Sequence, residues 1–111
     1  MNIHKIDWSK TEWKTIREGV QQKAFSGTAA TVAMHRLMPG HEPKPHSHPH
    51  EQIAYIESGT MRFHVGEDVI DVGPGGLIVI PGGVTHWGEV LGDEIVINID
   101  VFTPKRPEYA A

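Results

Sequence analysis

Apolar residues along this chain are grouped in short runs, and nearly every run ends at a turn that contains glycine or proline. Many runs alternate apolar and polar positions, which is the pattern of a strand with one buried face. The strands that this pattern predicts are 20–25, 28–37, 52–56, 60–65, 69–72, 77–80, 84–90 and 94–102. Frequent turns without a convincing helix between them predict an all-β fold, either a small sandwich or a barrel.

The last predicted strand has two faces of different chemistry. One face is branched and apolar throughout, and it consists of Ile95, Ile97, Ile99 and Val101. The other face is mixed, and it consists of Val96, Asn98, Asp100 and Phe102. The apolar face is expected to pack against the core. The mixed face either meets water or lines a cavity, and in a cavity Asp100 beside Phe102 would be an acid/base group next to an apolar wall.

The length of 111 residues fits one domain and leaves no room for a second. We expect a single domain over 1–111, with an N-terminal lead-in at 1–19, a barrel at 20–103 and a C-terminal tail at 104–111. In the lead-in, Ser9 and Glu12 have the spacing of a capping box and predict one short helical turn.

Composition narrows the class of partner. Hydrophobic residues make up 39% of the chain and charged residues 22%, as in ordinary globular proteins. The net charge of −4 gives no reason to expect a nucleic acid or an anionic membrane as partner. No apolar stretch approaches the roughly 20 residues of a membrane span. The first residues lack the apolar core of a signal peptide, and the chain has no cysteine, so we expect a cytoplasmic protein without disulfides.

The strongest chemical signal is a histidine cluster in the middle of the chain, joined by a histidine far downstream. His46 and His48 are two residues apart, so in an extended segment both side chains point to the same side, and Gln52 follows at the same parity. His86 comes just after a Pro-Gly-Gly turn. We predict that these four residues converge as metal ligands; the alternative is a set of surface histidines in a proline-rich turn. Glu51 has the opposite parity and is expected to point away.

Three imidazoles and one amide oxygen suit one divalent transition metal, such as nickel, iron, manganese, cobalt or zinc. Such a ligand set leaves positions open for water or substrate, which is typical of a catalytic site. Because Gln52 is neutral, the metal would keep its full positive charge and would attract an anionic substrate. Among the other histidines, we expect His41 to be exposed and His35 to have a structural role. His50 is expected either to lie beside the ligands or to be exposed, without binding the metal.

These residues resemble the two sequence motifs of the cupin superfamily. The first motif corresponds to Gly40, His46, His48, Gln52 and Gly59, with glutamine where the family most often has glutamate. The second corresponds to Gly75, Pro81, Gly83 and His86. The resemblance implies a small antiparallel β-barrel of the jelly-roll type, also called a double-stranded β-helix, with one metal inside. It also implies a homodimer.

A narrower resemblance is to the small cupins of pectin degradation. The segments that carry it are 46–52 and 100–106. The enzymes of that family convert 4,5-unsaturated uronate monomers into linear 4-deoxy-5-keto sugar acids. The resemblance implies that three histidines and Gln52 bind the metal, and that Asp100, Phe102 and Arg106 act on a small anionic sugar acid. From the sequence alone, a solvated charge of the tail is the favoured interpretation of Arg106, and the resemblance makes the two interpretations about equal.

Two other functions fit the same residues. A cupin module that binds a sugar or an acid without catalysis would have the same pocket. An iron-dependent dioxygenase is the third possibility, because three histidines and a neutral fourth ligand can hold ferrous iron. The barrel supports many chemistries, so the fold alone does not choose among the three functions.

Overall fold

The structure, a computed structural model, describes residues 3–109, and nearly all of its regular elements are strands. A single turn of 3-10 helix lies at Trp8–Lys10. The strands are β1 (Lys14–Arg17), β2 (Val20–Ser26), β3 (Thr31–Leu37), β4 (Glu51–Ser58), β5 (Thr60–Val65), β6 (Asp68–Val72), β7 (Leu77–Ile80), β8 (His86–Leu91) and β9 (Val96–Thr103). No helix within residues 3–109 is long and apolar enough to cross a membrane. The predicted all-β fold is confirmed.

The strands form two antiparallel sheets that enclose the core. One sheet has six strands in the order β1-β2-β3-β9-β4-β7, and the other has three in the order β6-β5-β8. The core is made of aliphatic and aromatic side chains from both sheets: Val20, Leu37, Ala54, Ile56, Met61, Phe63, Val72, Ile80 and Val96. Strands β4 and β5 meet at Gly59, whose φ of +77° favours glycine. A Cβ there would also lie 2.7 Å from the carbonyl oxygen of Ile95.

Of the two alternatives for the mixed face of β9, the cavity is confirmed, whereas the expectation that the branched face packs against the core is wrong. The mixed face is buried, and Asn98 and Asp100 are only 3% and 2% exposed. The branched apolar face is half-buried on the outside of the barrel, and Ile95 is 40% exposed just before the strand. Alternation shows that a strand has two unlike faces, but which of them points inward depends on the cavity that the other strands enclose. This barrel has polar residues on part of its inner wall.

The outer face of the six-stranded sheet carries two apolar rows. The strand register aligns Phe25, Val32, Val101, Ile53 and Val79 in the first row. It aligns Met34, Ile99, Tyr55 and Leu77 in the second. At the β7 end of these rows, Leu77 and Val79 are 63% and 59% exposed. The rows form a continuous apolar surface across four neighbouring strands, and β2 extends one of them.

The N-terminal lead-in contains more structure than the sequence predicts. The short helical turn is present, but its cap is Asp7, whose carboxylate accepts hydrogen bonds from the Ser9 amide at 2.9 Å and from the Ser9 hydroxyl at 2.6 Å. After this turn the chain forms β1, which pairs with β2 as an edge strand. The strand was not predicted because its four residues are mostly exposed and have no apolar alternation.

Candidate metal centre and its pocket

A cavity of about 400 Å³ opens at one end of the barrel, between the two sheets. The polar side chains that line it include His46, Gln52, His86, Asn98, Asp100 and Arg106. Backbone pairing positions two of them: the His46 amide donates to the His86 carbonyl at 3.1 Å, and the His86 amide donates to the His46 carbonyl at 2.8 Å. This bridge ties the loop before β4 to the start of β8, so residues that are forty positions apart in the chain become neighbours.

The three histidines present the same ring nitrogen to a common point. The Nδ1 atoms of His46, His48 and His86 lie 2.8, 3.0 and 2.9 Å from the carbonyl oxygens of Lys44, His50 and Val84, respectively. A carbonyl oxygen only accepts, so each Nδ1 carries the proton and each Nε2 has a free lone pair. One ligand nitrogen from each of the three rings lies within 4.8 Å of the other two. This orientation is the usual one for histidines that hold a metal.

Gln52 points its oxygen toward the same place. The Gln52 Nε2 donates to Asp100 Oδ1 at 2.8 Å, which fixes the amide so that Oε1 faces inward. Oε1 lies 3.2 Å from His48 Nε2, and both of these atoms are acceptors. Two acceptors so close together repel each other unless a cation lies between them. In addition, the Nε2 of His86 is buried without a hydrogen-bond partner among the described residues. The four residues therefore fit a metal ion.

Electrostatics favours the neutral form of His48, which is the form that a metal ligand requires. Loss of solvation lowers the pKa of His48, and the positive charge of Arg106 acts in the same direction. A lowered pKa means that the imidazole stays neutral to a lower pH than usual, so its lone pair remains free at neutral pH.

Asp100 is the centre of a buried hydrogen-bond network. Its Oδ2 lies 2.8 Å from His35 Nδ1 and accepts from Asn98 Nδ2 at 2.9 Å, and its Oδ1 accepts from Gln52. His35 in turn lies 3.0 Å from the Gln22 amide nitrogen, which donates to His35 Nε2 when Nδ1 carries the proton. The position of His35 was not predicted, because a single histidine on a strand gives no sign of its partner. The only available signal was its parity with the buried positions of β3.

The C-terminal tail closes one side of the cavity. The Arg106 guanidinium stacks on two rings, with its central carbon 4.8 Å from the centroid of Phe102 and 4.0 Å from that of Tyr109. Its Nε donates to Glu108 at 2.8 Å, and its backbone amide donates to the Thr31 hydroxyl at 2.8 Å. Arg106 is thus held at the cavity wall by several contacts, which argues against a freely solvated charge.

The positions of His41 and His50 can be compared with what the sequence predicts for them. His41 was expected to be exposed, but it is 8% exposed, with Nε2 lying 3.2 Å from the Gly88 carbonyl oxygen. It lies against the backbone of β8 rather than in solvent. His50 lies beside the predicted ligands, with its ring centroid 5.5 Å from that of His48. Glu51 is exposed, in agreement with its parity.

Comparison with known proteins gives one family and many similar folds. Residues 33–102 match the family described as "Cupin domain". No curated protein matches the sequence significantly. KdgF from Halomonas sp. is 24% identical with a TM-score of 0.82, over 90% of this chain and 94% of that one. An RmlC-like cupin from Shewanella frigidimarina is 23% identical with a TM-score of 0.87, over 98% and 97%. An oxalate decarboxylase from Bacillus subtilis is 22% identical with a TM-score of 0.78, and the match covers 89% of this chain but 29% of that enzyme.

Proposed function

Because this chain belongs to the cupin domain family, we propose that it is a metal-dependent isomerase that converts 4,5-unsaturated uronate monomers into linear 4-deoxy-5-keto sugar acids. The proposal rests on the sequence resemblance to the pectin-degradation cupins and on one structural observation. Asp100 lies within hydrogen-bond distance of Gln52 in a cavity that also contains Phe102 and Arg106. The residues that the resemblance names are therefore gathered in one place, around a cluster that fits a metal.

The reaction moves one proton and needs no oxidant. The substrate is a cyclic hemiacetal whose ring oxygen joins C1 to the unsaturated carbon C5. Removal of the proton from the C1 hydroxyl breaks the bond between C1 and the ring oxygen, which leaves an aldehyde at C1 and an enolate at C5. Addition of a proton at C4 then gives the 5-ketone. Substrate and product are isomers, so a single residue that accepts and returns a proton is sufficient.

Asp100 has the geometry for this proton transfer. Its carboxylate accepts hydrogen bonds from three neighbours, two on Oδ2 and one on Oδ1. Each carboxylate oxygen has two lone pairs, so Oδ1 keeps one acceptor site for a substrate hydroxyl. The ring of Phe102 would exclude water beside it, and Arg106 would bind the substrate carboxylate with N–H groups not held by Glu108. A bound divalent metal would supply Lewis-acid stabilisation of negative charge on the substrate oxygens.

An ultraviolet time course tests the proposal directly. The conjugated enol ether of the substrate absorbs in the ultraviolet, and the keto product does not. We expect metal-loaded protein to accelerate the loss of absorbance by at least about a hundredfold over the spontaneous reaction, as positioned acid/base chemistry does. A chelator should remove the acceleration, and restored metal should return it.

The same assay distinguishes the alternative functions. If metal-loaded protein does not exceed the spontaneous rate, the uronate proposal fails. Oxygen consumption with a small acid would then indicate a dioxygenase, and binding without turnover would indicate a sensor module.

We also propose that two copies associate through the outer face of the six-stranded sheet. Both apolar rows end at Leu77 and Val79 on the edge strand β7, where they are most exposed, and a second copy of the same face would bury them. The double variant Leu77→Lys/Val79→Lys should weaken dimerisation by at least about tenfold, because each buried lysine must lose its solvation.

The matched control for this variant lies on the other sheet. Val69 and Ile70 are 57% and 37% exposed, so Val69→Lys/Ile70→Lys adds the same charge at a different surface. Sedimentation velocity over a range of protein concentrations measures both variants against the wild type. A monomeric wild type, or equal effects of the two double variants, would contradict the proposed interface.

A further inference from the structure

The strand β1 contains a β-bulge that turns the Arg17 side chain toward the interior of the barrel. Lys14 pairs with Gln22 and Thr15 with Gln21, but Arg17 pairs with Val20, so Ile16 is an extra residue in β1. Without the bulge, the parity of β1 would turn Arg17 outward. With it, Arg17 shares a face with Val20, which is 3% exposed in the core. Bulges of this kind often re-aim one side chain beside a functional site.

Arg17 reaches the cavity without a hydrogen bond from its Nε to any described residue, although the charge of Glu42 acts on it. Its side chain lines the cavity that also contains His46 and Asp100. Its Nε is buried and has no hydrogen-bond partner within residues 3–109. No carboxylate of the described residues forms an ion pair with Arg17. A buried guanidinium N–H without a partner is costly, so the arrangement is best explained by a ligand that accepts from it.

A second guanidinium belongs to the same region. Arg106 lines the cavity too, and its Nη1 is likewise buried without a partner among the described residues. Tyr109 lies near both arginines: burial raises the pKa of its phenol, and the charges of Arg106 and Arg17 act in the opposite direction. The one carboxylate of the inner wall, Asp100, is already bonded to three neighbours. Arg106 therefore keeps Nη1 beside the Nε that Glu108 holds, and Arg17 keeps Nε, so both can donate to an anion from outside.

We propose that Arg17 is an anion-binding residue of this cavity, and that together with Arg106 it selects ligands that carry a carboxylate. This inference rests on the proposed function for the class of ligand, a sugar acid. Arg17 adds the N-terminal lead-in to the binding site, although no role was predicted for this segment. The carboxylate would accept hydrogen bonds from two sides, from β1 and from the tail after β9, and its charge would be neutralised within the cavity.

Equilibrium binding of an unreactive sugar acid separates this inference from catalysis. D-Galacturonate has the carboxylate but no double bond, and D-galactose has neither, so calorimetry with metal-loaded protein measures the carboxylate contribution. We expect Arg17→Gln to weaken galacturonate binding by at least about tenfold, the loss typical of one charge-assisted hydrogen bond. Galactose binding should stay unchanged. Arg17→Lys, which keeps the charge but loses the forked geometry, should give a smaller loss.

Lys14→Gln is the matched control, because Lys14 is an exposed cation on the same strand. It should change galacturonate binding by less than about twofold, since exposed charges are screened by solvent. In the uronate assay, Arg17→Gln should raise KM with little change in kcat. Any of three results would overturn the inference. Arg17→Gln could bind galacturonate as tightly as the wild type, Lys14→Gln could lose as much affinity as Arg17→Gln, or the wild type could fail to bind galacturonate. If galacturonate binding depends on Arg17 but no turnover occurs, the anion site stands and the proposed reaction fails.

Discussion

Replacing His86 with alanine is expected to remove the metal from the protein and to abolish any metal-dependent activity. The His86 Nε2 is buried and unpartnered among residues 3–109, and its Nδ1 is held by the Val84 carbonyl, so the lone pair is fixed toward the other ligands. Loss of an orienting partner of a ligand already costs about 10–100-fold in metal affinity, and loss of the ligand itself should cost more than about a hundredfold.

Metal analysis after dialysis measures this prediction without any substrate. The wild type should retain about one divalent ion per chain, and added metal should raise its melting temperature because the metal binds the folded state alone. His86→Ala should show neither effect. His4→Ala is the control, because His4 is exposed in the lead-in and far from the cluster in sequence. Full metal content in His86→Ala would contradict the prediction. It would mean that His86 is not needed to hold the metal.

The placement of negative charge is the unusual feature of this centre. The side chain that faces the histidines, Gln52, is neutral, and the carboxylate lies one hydrogen bond further away, on Asp100. With glutamate at position 52, two carboxylates would face each other in a buried site, where like charges repel. With glutamine, the amide nitrogen donates to Asp100, and this hydrogen bond turns the amide oxygen toward the histidines. Glutamine thus fits both the candidate metal centre and the hydrogen-bond network of Asp100.

The sequence predicted the parts of the site that depend on local geometry. His46 and His48 share a parity, and Asp100 and Phe102 share another, because side chains alternate along an extended segment whatever the rest of the fold does. The glycine turns similarly gave most strand boundaries within a few residues. These features need only the period of two and the turn chemistry, both of which can be read from neighbouring residues.

The parts that could not be predicted depend on tertiary structure. Alternation does not show which face of β9 is inside, since this barrel buries polar residues around a cavity. Arg17 has the wrong parity in a regular strand, and only the bulge at Ile16 turns it inward. His35 meets Asp100 because β3 pairs with β9, a contact between residues 65 positions apart. Each of these features requires the register between strands, which one short segment does not contain.

Replacing Asp100 with asparagine is expected to lower kcat for the unsaturated uronate by about 10²–10⁴-fold, the usual contribution of a positioned acid/base group. The amide has no proton-accepting charge. It also disturbs the network, because an asparagine that accepts from Gln52 would turn its NH₂ group toward two donors, His35 Nδ1 and Asn98 Nδ2. Metal content should therefore be measured alongside kcat, so that loss of chemistry is separated from loss of the ion.

His35→Gln is the matched control for the Asp100 variant, because it alters the same network but keeps the carboxylate. It should cost about tenfold or less in kcat, as the loss of one orienting hydrogen bond does. The side of C4 that receives the proton is a more specific measurement of the role of Asp100. In D₂O, a fixed proton donor delivers deuterium to one side of C4, whereas the spontaneous reaction labels both sides. We expect a single C4 isotopomer from the wild type and a mixture from Asp100→Asn, as seen by NMR. If Asp100→Asn keeps its metal, its kcat and its stereoselectivity, another residue must transfer the proton.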